Sequence, residues 1–160
     1  HFYPVLFYFR FREPYYSVSM SALVALDAVT LVKTGLRDEQ YGWLKHSASV
    51  SQLWHSSRLL VKILEDTFLP GGSPDAPGPP DARTEERWRA RYFAALERFQ
   101  EAGIGTVANE QAGVAAYVSL RIQWDAYITK LAPSLAYRMN EIDRAGSRPA
   151  ARAEKKFAHI

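Results

Sequence analysis

Apolar residues recur along this chain at intervals of three and four, and almost nowhere at intervals of two. That period gathers them on one face of an α-helix, so the pattern predicts an all-α fold. Pro4 and Pro14 bracket a short aromatic segment, with a break expected near Glu13 because residues before proline are pushed out of the helical region. Ser17 is placed to cap a helix running to about Thr34, with Gly35 at the C′ position. Its apolar residues (Val18, Met20, Leu23, Val24, Leu26, Val29, Leu31, Val32) lie on every side, which predicts burial on most faces. A long helix from Glu39 to Phe68, capped by Asp38, has a stripe of Leu53, Leu60, Ile63 and Leu64, with Trp43 and Trp54 adding area. Thr84 is placed to cap a helix ending at Ala102 and closed by Gly103. Trp88, Tyr92, Leu96 and Phe99 form its single apolar side, and Arg87, Arg89, Arg91 and Arg98 fall elsewhere. Asn109 opens a helix to Leu131, faced by Tyr117, Leu120, Trp124, Tyr127, Ile128 and Leu131. Pro133 fits the start of a last short helix ending near Asp143. The expectation is a bundle of about five main helices.

Between residues 70 and 80, five of eleven positions are Pro and three are Gly. Such a stretch buries too little apolar surface to offset its ordering entropy, so a disordered loop is expected over 70–83. It divides 1–69 from 84–143 within one helical domain, residues 1–143, and a chain of 160 residues is one domain's worth. Arg144, Arg148, Arg152, Lys155 and Lys156 then make 144–160 a basic tail, read as a solvated, disordered end. A net charge of +3 is too small to imply a nucleic-acid partner. The stretch Val18 to Leu36 is the most membrane-like, but Asp27 and Lys33 interrupt it, so it reads as a buried core helix.

The first sixteen residues hold eight aromatic rings and only two arginines, Arg10 and Arg12. Stacking platforms for nucleic-acid bases interleave rings with many cations, so packing in a core or interface is preferred here. Large rings left in water cost about 1.5–3 kcal/mol each. Together with an opening residue that is His rather than Met, this creates the expectation that a preceding part of the polypeptide has been removed. Tyr3, Phe7, Tyr8 and Phe11 have the spacing of one helical side and are the candidate interface between identical chains.

Chemistry-bearing patterns are scarce. There are no cysteines, which excludes disulfides, thiolate metal sites and cysteine nucleophiles. None of the four histidines, His1, His46, His55 and His159, is spaced four from another, so no metal site is expected. No serine sits in G-x-S-x-G, and no G-x-G-x-x-G or Walker loop occurs, so no catalytic or cofactor-binding residue is assigned. Glu141 and Asp143 lie beside Arg138 and Arg144 and read as solvated ion pairs. Asp27 stands out because it lies within the most apolar helix. Burial there demands a cation, for which Arg10, Arg12 and Arg58 are the candidates, with Arg10 and Arg58 preferred. The alternatives are a ligand- or proton-sensing role and simple exposure on a polar face.

Tyr3-Pro4-Val5-Leu6, then Tyr8-Phe9-Arg10, Arg12 and Tyr16, lead into a helix containing Leu26-Asp27. With Trp124-Asp125-x-Tyr127-Ile128 and Ala136-Tyr137-x-Met139-x-Glu141-Ile142-Asp143, these stretches resemble the cytosolic C-terminal region of bacterial two-transmembrane potassium-channel-like proteins. The resemblance covers residues 1 to about 143, apart from the proline-rich loop, and rests on packing residues. It implies an upstream pore with a glycine-rich filter, neither of which is present in these residues. It leaves this part a regulatory or assembly role on the cytoplasmic face of the bacterial inner membrane, in a homo-oligomer. It implies no enzyme activity, no cofactor and no transferable site residue. A helical protein–protein interaction module without a channel is the second reading. A small enzyme or ligand carrier is the third, and converging polar groups in a cavity between helices would favour it.

Overall fold

The structure is a computed structural model that describes residues 18–68 and 78–134. Six helices and no strand occur among them: α1 (Val18–Gly35), α2 (Asp38–Lys45), α3 (Ala48–Phe68), α4 (Ala82–Glu101), α5 (Glu110–Ile122) and α6 (Asp125–Ser134). The fold is an all-α bundle. The aromatic segment 1–16, residues 70–77 of the expected loop, the part beyond Ser134 of the expected last helix and the tail 144–160 lie outside the described residues; Ala82 and Arg83, expected in the loop, open α4.

α1 is the hub and packs against α3, α4, α5 and α6. By length and composition it could cross a membrane. Here half of it is buried; Val24, expected to be buried, is 51% exposed, while Leu23, Leu26 and Val29 lie in the core. They join Trp54, Val61 and Leu64 of α3 and Ile128 and Leu131 of α6 in one apolar cluster, which also takes in Trp124. A second cluster joins Trp88, Tyr92 and Leu96 of α4 to Val114, Tyr117 and Val118 of α5.

Two helices expected to be continuous are broken. The 39–68 helix divides at His46 and Ser47, where the Ser47 hydroxyl accepts a hydrogen bond from the Val50 backbone N–H at 3.2 Å and so satisfies the start of α3. Asp38 caps nothing; it pairs with Lys45 at 2.8 Å across α2. The break also leaves Trp43 73% exposed, and Leu53 and Ile63 are exposed on α3, so these three are not core residues. The 109–131 helix divides at Gln123 and Trp124, where the turn tightens: Gln123 and Trp124 donate to residues only three back, Leu120 and Arg121. Pro133 falls inside the last turn of α6 rather than opening a helix.

The helix ends follow local chemistry. Asp81, not Thr84, caps α4, accepting from the Thr84 backbone N–H at 2.8 Å. Asn109 caps α5 through the Ala112 N–H at 3.0 Å. Gly103, at φ 74°, is left-handed, and with Gly103 donating to Gln100 and Ile104 to Phe99 it closes α4 in a Schellman turn. Gly35 serves space rather than backbone freedom: a Cβ there would stand 3.0 Å from Leu96 Cδ2. Beside it the connection after α1 is tied to the one after α4, with Arg37 donating to Gly105 and Val107 to Gly35, both at 3.0 Å.

Candidate functional site

Asp27 lies halfway along α1 and is 4% exposed. An ionised carboxylate so placed needs cations and donors, and three side chains from two other helices supply them. Arg91 of α4 donates from Nε to Oδ2 at 2.8 Å, with its Nη2 at the same distance from that oxygen. Arg121 of α5 donates from Nη1 to Oδ1 at 2.8 Å, and the Tyr117 hydroxyl donates to Oδ1 at 2.6 Å.

Arg121 is the second half of the site and is 1% exposed. Its Nη1 also donates to the Tyr117 hydroxyl oxygen at 2.6 Å, and its Nε donates to Asp125 at 3.0 Å. Three rings surround the guanidinium carbon, with centroids 4.9 Å away at Trp124, 5.2 Å at Trp88 and 5.9 Å at Tyr117. Trp124 belongs to the first apolar cluster and Trp88 to the second. The arginine is therefore a polar seam between two hydrophobic cores, held by carboxylates at its edge and by aromatic faces. Trp124 is fixed in turn, its Nε1–H donating to the Thr30 hydroxyl at 3.3 Å.

The electrostatics follow from burial and proximity. Burial disfavours the Arg121 charge, but the Tyr117 oxygen, Asp27 and Asp125 outweigh it and hold the guanidinium protonated above its ordinary range. Burial raises the Tyr117 hydroxyl well above its usual value. Arginine that keeps its proton and tyrosine that will not lose one do no acid–base work near neutrality. Among the described residues no buried side-chain nitrogen or oxygen lacks a hydrogen-bond partner. The cluster is a closed lock, with both Asp27 oxygens already engaged.

Asp27 thus meets cations, but Arg58 is not one of them. Ser57, Val61 and Leu64 of α3 are buried, and Arg58, about 100° further round the helix than Ser57, is exposed with its guanidinium 5.5 Å from the Trp54 ring. Arg10 and the interface candidates Tyr3, Phe7, Tyr8 and Phe11 lie outside the described residues. Sequence reasoning overlooked Arg91 and Arg121. The available signal was position: Arg91 lies three residues after Trp88, and Arg121 four after Tyr117, both near buried aromatic rows.

In comparison with known proteins, no family model, no curated protein and no solved structure matches this chain.

Proposed function

We propose that this helical domain is the cytosolic regulatory or assembly domain of a prokaryotic potassium-channel-like membrane protein, coupled through residues 1–17 to an upstream pore. One observation carries the reading. Two of the stretches behind the resemblance, Leu26-Asp27 and Trp124-Asp125-x-Tyr127-Ile128, meet in space although nearly a hundred residues separate them. Leu26, Trp124 and Ile128 share an apolar cluster, and Asp27 and Asp125 share Arg121. The likeness therefore rests on residues that hold the helices together, which supports a likeness of architecture. It also supports a mechanical role: a displacement applied at the start of α1 reaches four other helices through direct packing.

On this reading the module sits at the cytoplasmic face of the inner membrane, and Tyr3, Phe7, Tyr8 and Phe11 join identical chains beneath the pore. The test is potassium flux from liposomes holding the full-length protein. Expected are a measurable flux, a change of several-fold with Asp27→Asn, and loss of the oligomer when Phe7 and Tyr8 both become Ala. A native sequence without membrane spans ahead of His1, or impermeable liposomes, overturns the reading. The second reading, an interaction module without a channel, draws on the exposed Trp43, Leu53, Leu59 and Ile63. The same upstream sequence separates the two.

A further inference from the structure

A groove of about 280 Å³ runs between α3 and the α5–α6 turn. One wall is the face of α3 that carries His55, Arg58 and Lys62, spaced three and four apart and all exposed. Among the described residues neither His55 nor Lys62 forms a hydrogen bond or ion pair, and the Arg58 guanidinium lies over the Trp54 ring. Arg58 and Lys62 are four apart on one helix, where like charges repel. The other wall is Gln123, Trp124 and Tyr127, brought there by the break between α5 and α6. Its Trp124 is the same indole that stacks on Arg121. The lining has one carboxylate, Glu65, and it is 2% exposed. Every exposed charged side chain of the groove is therefore basic.

We propose that this groove binds a small organic anion: a carboxylate, phosphate or sulfonate carried on an apolar body. The acid group meets Arg58, Lys62 and His55, and the body lies against Tyr127 and the exposed Leu59. Cations gathered on one wall of a cleft draw anions toward it, and the opposing Gln123 amide and Tyr127 ring supply orientation and apolar contact. The volume lies near the lower bound of ligand pockets, roughly 300 Å³, which suits a small aromatic body with one acidic group. The same chemistry occurs in free aromatic acids and in anionic lipid headgroups. The proposal does not depend on the channel reading.

The test is a fluorescence titration of the folded chain with 8-anilinonaphthalene-1-sulfonate, beside the neutral N-phenyl-1-naphthylamine of similar body. Expected is one saturable sulfonate site per chain, weakened at least tenfold by Arg58→Gln with Lys62→Gln. The neutral compound should not distinguish that variant from the parent, and Arg98→Gln on α4 should leave both affinities unchanged. Amide chemical-shift changes on adding the sulfonate should centre on residues 55–62 and 123–127. Displacement by 1-naphthoate, with no retention on phosphatidylglycerol vesicles, assigns the site to free acids. Retention on phosphatidylglycerol but not phosphatidylcholine vesicles, lost in the double variant, assigns it to lipid. Equal sulfonate affinity in parent and double variant at unchanged helicity, or shift changes centred elsewhere, overturns the proposal.

Discussion

Replacing Asp27 by Ala strands Arg121, the most deeply buried charge among the described residues. Arg121 is 1% exposed, so it cannot recover its hydration without moving helices. Removing one partner of a buried ion pair costs about 3–5 kcal/mol. Two features place the expected cost within that range. Asp125 still accepts from Arg121 Nε, and Arg91, with its side chain 18% exposed, can turn toward water. Against them, the Tyr117 hydroxyl loses its acceptor, worth about 1 kcal/mol more. The balance is about 4 kcal/mol, a large part of the roughly 5–15 kcal/mol available to a domain. At about 3 °C per kcal/mol for a domain of this size, the melting temperature should fall by about 12 °C. Asp27→Asn keeps one acceptor of the same shape and should lose about half as much. Thermal melts followed by circular dichroism at 222 nm, with urea titrations for the free energy, provide the measurement. A change in melting temperature under about 3 °C for Asp27→Ala would refute the reasoning, because it would mean that Arg121 reaches water without it.

Gly113 offers a second perturbation: a Cβ there would sit on the Tyr92 hydroxyl and 3.0 Å from the Thr34 carbonyl oxygen. Gly113→Ala should cost about 1–3 kcal/mol, most of it recovered in a Tyr92→Phe background; equal penalties in both backgrounds would exclude that contact as the cause. Tyr92→Phe alone removes the hydroxyl's 2.9 Å bond to the Thr34 carbonyl and should cost about 1 kcal/mol by urea titration. Burial pushes the Tyr92 hydroxyl up to about 12. Because its unfolded value is about 10, the unfolded chain releases that proton first, so stability is complete below pH 10 and falls as pH rises through about 12. Absorbance at 295 nm should show the last tyrosines ionising only with loss of helicity, and full ionisation by pH 10.5 with native helicity would contradict this. Residues 1–75 and 76–160, expressed as separate chains, should co-purify, since one carries Asp27 and the other Arg91 and Arg121; failure of soluble pieces to associate would count against the seam.

Helix identity was legible because periodicity reports which face is buried. The Trp88, Tyr92 and Leu96 row, the Asn109 cap and the left-handed Gly103 all follow from local rules. The two breaks were not legible from apolar spacing, which continues through both. His46 closes one helix, Ser47 begins the next with a single side-chain bond, and the tight turn at Gln123 and Trp124 contains neither proline nor glycine. The need for a cation at Asp27 could be read from its apolar neighbours. Its partners could not, because Arg91 and Arg121 are 64 and 94 residues away and pair with it only once α4 and α5 pack on α1. A charged residue beside a buried aromatic row reads as solvated unless the partner helix is known.

The fork of Arg121 has a consequence for how freely this chain can change. Leucine and valine surfaces mate in several positions, and a slip of one helical turn, about 5.4 Å, would still bury them. The guanidinium admits no such slip, because only one placement of α1 on α5 brings Asp27 to both Arg121 and the Tyr117 hydroxyl. The surrounding apolar residues are thereby relieved of specifying alignment and need only fill volume. Sequences descended from this one can exchange Leu for Ile or Met around the seam, while Asp27 and Arg121 must change together or not at all.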